Sequence, residues 1–550
     1  MRRKFLSVSV CLTMSLIVTR IVESKKTSCV LSSFFYHVGD WFATAVSFIN
    51  GLVWCPALVV LCLAAGLYFS LRTRFVQVRR FGEMFRLLFG AANNSKRRVG
   101  ISSFQAFALA LSGRVGTGNI VGVATAIGFG GPGAVVWMWI IAFFGAGTAF
   151  AEATLAQIYK EKHNGQFRGG PAYYIEKGLH STFFACLFAV FTALACGVCL
   201  PPLQCNGVAI SCARTFGLEP WMIGAVVALL IALVIIGGVR RIAQVAQIVA
   251  PFMAFIYIVL SIVVLAVNYD VVPDMFMQML RGAVGVNQVG GAILGTTIAM
   301  GVKRGIFSNE AGQGTGPIIA AAATVNHPVK QGLVQAFSVY IDTLLVCTAT
   351  ALMILACKTY NIIDSVQTSA TGETIVTYLQ QNSNAPAGEP GVFYTSSALG
   401  SVVGPKAGDI IVSVALFFFV FTTIMAYYYY AETNIVYLFS RWRRRRNRPD
   451  FSEDDCAASD KGERLIIWIL RCVTVLTVFA GSLSGSGSVW TLGDIGVGLM
   501  AWINILAILL LSSQALRALN DYERQKSEGR EPVFHPQEFG ISNTDFWEEE

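Results

Sequence analysis

The sequence predicts an all-α, polytopic membrane protein whose core is two inverted repeats of five helices, and three observations predict it. Hydrophobic residues make up 55% of the 550 and charged residues 13%, a balance outside that of soluble globular domains. Apolar runs long enough to cross a bilayer, about 20 residues each, recur along the chain between short polar connections. Two of these runs are interrupted by glycine and polar residues at corresponding places in the two halves of the core. The ten-residue alternation of a transmembrane barrel does not occur.

Residues 1–30, beginning "MRRKFLSVSVCLTMSLIV", combine a basic start with an apolar stretch and read as a signal-like or extra hydrophobic segment. Residues 31–515 read as the membrane domain, with core repeats at about 103–267 and 276–512, and residues 516–550 as a cytoplasmic tail. Eleven spans are expected, at about 51–72, 103–127, 132–158, 181–212, 220–239, 243–267, 276–302, 332–357, 408–439, 464–483 and 489–512. The basic stretches "RTRFVQVRR", "KRR", "YKEKHNGQFRGG", "RR" at 240, "KR" at 303 and "RWRRRRNR" fall on every second connection. By the positive-inside rule that side is cytoplasmic, so the first of the eleven spans starts outside and the tail ends inside. The net charge of +9 therefore reports topology and anionic-lipid contact, not a nucleic-acid partner.

The interruptions carry the chemistry. One is "LSGRVGTGN", residues 111–119; the other is "GAVGVNQVGGAILG", residues 282–295. Glycine lowers helix stability by about 1 kcal/mol relative to alanine, and unwound backbone at membrane depth survives only where protein or a water-filled cavity satisfies it. Paired broken helices in repeats of opposite topology are the plan of secondary transporters. The freed amides of Thr117 and Gly118 suit a carboxylate. Exposed carbonyls of residues such as Ser112 and Val115 suit a hard cation such as sodium, and Asn119 can serve either.

Two other classes fit less well. An intramembrane enzyme needs a nucleophile, base or metal ligands inside the bundle, whereas His37, His163, His180, His327 and His535 fall in or next to loops. A passive channel needs a continuous polar lining, and the polar residues here are local to the interruptions. Most of the thirteen cysteines lie in apolar runs, and the close pair Cys196 and Cys199 reads as packing. Arg114, deep in a span, is expected to pair with Glu310 or Asp342 as a gate. Glu152 reads as a packing or gate residue, and "NEAG" at 309–312 as the cap of a short cytoplasmic helix.

"GRVGTGNIVGVATAIGFGGPGAVVWMW", "GGPAYYIEKGL", "GVKRGIFSNEAGQGTGP" and "HPVKQGLVQAFSVYIDTLLVCTATALMIL" closely resemble the sodium:alanine (alanine or glycine:cation) symporter family over about residues 45–515. The resemblance implies a leucine-transporter-like fold with one helix before the ten-helix core. It also implies sodium-coupled uptake of alanine or glycine across the cell membrane; separately, a monomer is the expected working unit. Carried over by motif, Thr117 and Gly118 would receive the substrate carboxylate, and Val115 and Gly116 would lie on the sodium path. "PPLQCN" would bring Gln204 and Asn206 to the pocket, and "TTIMAY" would bring Thr422 to the ion and Thr423 and Tyr427 to the substrate. "VNQVGG" would place Asn287, with Gln288, beside it.

Overall fold

The computed structural model describes residues 44–89, 100–285, 291–368, 374–446 and 453–548. Asn287, Gln288 and the signal-like segment 1–30 lie outside the described residues. By contacts, the core helices all lie in one unit that starts at Trp54. Among the described residues, eight helices are long and apolar enough to cross a bilayer, and a bent pair adds a ninth.

Helices α1 (Pro56–Arg72) and α2 (Phe81–Phe89) precede the core. The first run of five helical segments begins with α3 (Ser103–Arg114) and α4 (Val123–Gly130), which are bent by 52° across the break between them. It continues through α5 (Gly133–Ile158), the short α6 (Pro171–Leu179), α7 (Thr182–Leu194) with α8 (Leu200–Phe216), α9 (Pro220–Ile235) and α10 (Gly238–Val267). A short helix, α11 (Val272–Ala283), separates the halves. The second run is α12 (Gly291–Asn309) with α13 (Gly316–Ala321), α14 (Pro328–Val339) with α15 (Thr348–Ala356), α17 (Pro405–Arg446), α18 (Glu453–Leu483) and α19 (Ser486–Leu510). Among the described residues each run holds four helices or bent pairs long and apolar enough to cross a bilayer, with the shorter α9 as the fifth segment of the first and α12 as the fifth segment of the second. The connection at 358–405 carries an antiparallel hairpin and α16 (Val392–Val403), and α20 (Ser512–Ser527) follows the last span.

Local sequence explains where the first core helix starts and stops. Ser102 caps α3 reciprocally with Gln105: Gln105 N donates to Ser102 Oγ at 3.1 Å and Ser102 N to Gln105 Oε1 at 3.0 Å. The helix ends because Val115 turns extended, with ψ 91°, before Gly116, and a π-helical turn at Gly118–Gly122 restarts it. Gly133 and Gly282 let α5 and α11 touch backbone to backbone: a Cβ on Gly133 would lie 2.3 Å from the Gly282 carbonyl carbon. The span between α7 and α8 relaxes through a second π turn, Ala195–Cys199, ahead of the prolines at 201 and 202.

The middle of the expected second interruption, residues 286–290, lies outside the described residues, and the chain has a further break beyond it. Gly291–Asn309 is one continuous helix, and the chain unwinds after it, where Glu310, Gly312 and Gly314 adopt φ of 56°, 81° and 90°. The stretch "NEAG", expected as a cytoplasmic cap, thus leads into buried unwound backbone between α12 and α13. Lys303 and Arg304, expected in a basic loop, lie inside α12, and both pair with Asp494 of α19. Two glycines at positive φ stop a helix more firmly than the glycines at 291 and 295, which helical geometry accommodates.

Candidate functional site

The break in α3 lies against the end of α12 and against α8 and α17. Gly118 packs on Phe307, whose ring carbon would lie 3.1 Å from a Cβ there, and Ser308 Cα would lie at 3.5 Å. Thr117 donates to Gln204 Oε1 of α8 twice, from its amide at 2.9 Å and its hydroxyl at 2.5 Å. The Gly116 amide donates to Asn119 Oδ1 at 2.8 Å. Two donors freed by unwinding are therefore satisfied by side-chain amide oxygens, as buried backbone requires.

A cage of oxygens sits beside them. The Thr423 hydroxyl lies 2.9 Å from the Ser112 carbonyl oxygen, 3.1 Å from that of Val115 and 2.8 Å from that of Phe419. Thr422 Oγ1 lies 3.1 Å from the same Phe419 oxygen. One hydroxyl can donate only a single proton, so it cannot satisfy three carbonyls at once. The set is rich in acceptors, all neutral and all oxygen, which is the donor chemistry of a hard monovalent cation. Gly116 keeps the space open: a Cβ there would lie 2.6 Å from Thr423 Oγ1 and 2.9 Å from Gln204 Oε1.

On the other side of the break, Asp342 receives three neutral donors. Asn119 Nδ2 reaches Oδ1 at 2.6 Å, and the hydroxyls of Ser308 and Thr343 reach Oδ2 at 2.9 and 2.8 Å. Asp342 therefore ties the first break to the end of α12 instead of pairing with Arg114. The Arg114 guanidinium is held by Gln335 Oε1 at 3.3 Å and by the Ser338 hydroxyl of α14, not by Glu310 or Asp342. Glu310 accepts from the Tyr430 hydroxyl at 2.9 Å. Glu152 is buried under Gly312 N at 3.3 Å and Asn504 Nδ2 at 2.8 Å.

Of the residues expected at the site, Ser112, Val115, Gly116, Thr117, Gly118, Asn119, Gln204, Thr422 and Thr423 come together, with Tyr427 buried next to Gln204. Asn206 does not join them; its amide turns to the carbonyls of Gly481 and Ser484 at 3.2 and 2.7 Å. The positions that sequence reasoning missed are Phe307, Ser308, Phe419 and the cluster above them. Arg304 binds both oxygens of Asp494 at 3.0 and 2.7 Å and lies 5.1 Å from the Trp490 ring, which packs 5.5 Å from Phe307. A lone Asp494 in an apolar run was the available signal, because a buried carboxylate calls for a cationic partner.

Two interrupted helices that meet inside a multi-pass bundle, with freed amides on one face and an oxygen cage on the other, define an ion-coupled secondary carrier. The chain belongs to the sodium:alanine symporter family, whose sequence profile matches residues 39–449 and 450–536. It is 48% identical over 508 residues to the putative sodium/proton-dependent alanine carrier protein YrbD of Bacillus subtilis, covering 92% of this chain and 98% of that one. It is 43% identical over 450 residues to the sodium/proton-dependent alanine carrier protein of Bacillus sp. strain PS3, covering 82% and 94%. It is 39% identical over 491 residues to the probable sodium/glutamine symporter GlnT of Bacillus subtilis, covering 89% and 92%.

Proposed function

We propose that this protein imports alanine, and glycine, together with sodium by alternating access, as a leucine-transporter-like monomer. The observation that carries this reading is the convergence of the Ser112, Val115 and Phe419 carbonyls on the Thr423 hydroxyl. Sodium sits among those oxygens with Thr422, so Thr423 serves the ion and not the substrate. The substrate carboxylate takes the place that Gln204 Oε1 holds on the Thr117 amide and hydroxyl, next to Gly118 and Asn119. An ion and a carboxylate at adjacent sites of low dielectric each strengthen the other's binding, which is the physical basis of symport. Small substrates fit because Gly116 and Gly118 are already within contact distance of Gln204, Thr423 and Phe307.

Thr423→Val removes the hydroxyl at nearly constant volume. In vesicles with an imposed sodium gradient, it is expected to raise the sodium concentration for half-maximal alanine uptake at least tenfold, about 1.4 kcal/mol. An unchanged sodium dependence would place the ion elsewhere. Competition by glycine and alanine, but not by glutamine, checks the substrate size.

A further inference from the structure

The two interrupted helices are fastened to each other at one end of the bundle. Ile101, just ahead of the Ser102 cap of α3, donates its amide to the Ala322 carbonyl at 3.0 Å and accepts from the Thr324 amide at 3.0 Å, so the start of α3 and the residues after α13 pair as a short parallel bridge. Gly100, at φ 95°, permits the approach, because a Cβ there would lie 2.7 Å from both the Ala322 oxygen and the Phe167 ring. The last carbonyls of α13 are held in turn from the end of α5. Gln157 Nε2 donates to the carbonyls of Ala320 and Ala323, the latter at 3.0 Å. Lys160 Nζ donates to the Ala323 carbonyl at 3.2 Å and to Gln157 Oε1 at 2.8 Å. An amide and an ammonium thus satisfy carbonyls that a helix leaves open at its C-terminus, where a cation is favoured.

The C-terminal tail closes over this fastening. The rings of Phe546 and Trp547 lie 4.2 and 5.2 Å from Lys160 Nζ, and Phe167 of the 161–168 hairpin lies at 4.5 Å, so three aromatic rings enclose an ammonium that is fully buried. Ring faces attract a cation most strongly where water is excluded. The Trp547 indole donates to the Gln157 carbonyl at 3.0 Å, and Phe546 packs edge-on against Phe167 at 4.9 Å. Phe534, 5.3 Å from the Trp547 ring, donates its amide to the Asn326 carbonyl between α13 and α14 at 3.0 Å. The tail therefore grips α5 and the adjoining hairpin in the first repeat and the α13–α14 connection in the second. Carriers built this way work by one part moving against another. A strap that spans both parts at the point where their interrupted helices meet opposes that motion until it lets go.

We propose that residues 531–548 are an autoinhibitory bolt: docked, they keep the ends of α3 and α13 fastened, and turnover waits for the tail to release. The docked tail keeps water away from Lys160, and in that dry setting the bonds from Lys160 and Gln157 to the end of α13 are strong. Release wets the ammonium, water competes for the Ala320 and Ala323 carbonyls, and α13 is free to part from the start of α3. On the orientation that the basic connections favour, this side faces the cytoplasm, so the bolt acts on the release of substrate and not on its capture. The sodium cage and the Thr117 amide lie at the break itself and are not touched by the tail.

The inference rests on the reading of the protein as a substrate-importing carrier, and the experiment separates the two. Full-length protein and its Phe546→Ala, Trp547→Ala double variant are reconstituted in liposomes, and initial radioactive alanine uptake under a sodium gradient is measured per mole of protein. If the wild type does not accumulate alanine, the carrier reading fails. If it does, the double variant is expected to be about threefold or more faster, because turnover scales with the fraction of molecules whose tail is released. A synthetic peptide of residues 531–548, present on both sides of the membrane, should bring the variant back toward the wild-type rate. A folded variant no faster than the wild type overturns the bolt and leaves the carrier reading intact. Should the variant not fold, the unmodified protein decides by hydrogen exchange. Sodium alone leaves the carrier waiting for substrate, whereas sodium with saturating alanine lets it cycle, so protection of residues 531–548 should fall about threefold or more on adding alanine. Equal protection in the two conditions overturns the proposal.

Discussion

At the scale of single residues, Gly116 has the least freedom. Its missing side chain is the distance between the ion ligand Thr423 and the substrate-side Gln204, and a methyl group would approach both closer than 3.0 Å. Gly116→Ala is therefore expected to reduce alanine uptake at least a hundredfold, about 2.7 kcal/mol, with expression and membrane insertion near normal because the strain is confined to the break. Gly118→Ala meets the Phe307 ring at 3.1 Å, and a ring at that contact can turn aside, so a loss of about tenfold is expected. Initial uptake rates normalised to the amount of protein in the membrane check both, and equal losses would show that the two glycines do not differ in kind.

At the scale of elements, what was legible in the sequence depends on how strong each local signal is. The first interruption was legible to the residue because "GRVGTGN" puts three glycines, an arginine and an asparagine inside an apolar run, and nothing but a break accommodates them. The unwound stretch after α12 was not legible as a break because "NEAG" looks like a helix cap by composition; it is buried because tertiary partners, Tyr430, Glu152 and Asn504, supply what water would. Lys303 and Arg304 misled for the same reason, since a charge count cannot see Asp494 lying 190 residues further on in Arg304's case. That cluster makes a prediction for α12 and α19. Asp494→Asn leaves the buried Arg304 and the half-buried Lys303 facing one neutral acceptor, a change of about 3–5 kcal/mol, and should lower the melting temperature of the detergent-purified protein. Adding Lys303→Met should recover part of the loss, because one of the stranded charges is gone. No recovery would mean that Lys303 reaches water by another route.

At the scale of the whole molecule, the C-terminal tail ties together elements that belong to different halves. After α20, Phe534 N donates to the Asn326 carbonyl at 3.0 Å and the Trp547 indole to that of Gln157 at 3.0 Å. Phe546 and Trp547 cover the buried Lys160 ammonium at 4.2 and 5.2 Å, and Asp545 pairs with Lys177 at 3.1 Å. His327 anchors α20: its Nδ1 accepts from Val329 N, so Nε2 carries the proton toward Asp521 Oδ2 at 3.3 Å. Burial pushes the imidazole pKa down, against the pull of Asp521. Burial also works against the Asp521 carboxylate, yet the hydrogen bond from His327 holds its pKa below the usual range. Both groups bind protons more weakly docked than released, so proton uptake accompanies release. Docking is therefore complete above the ordinary imidazole range, near pH 6.5, weakens below it, and weakens again as the ordinary carboxylate range, near pH 4, is approached. Hydrogen exchange corrected for intrinsic rates should show residues 531–548 protected at pH 7.5 and less protected at pH 5.5, while α5 and α14 stay protected at both. His327→Gln cannot titrate and should flatten that difference; a pH-dependence that survives the substitution would assign the tail's release to other groups.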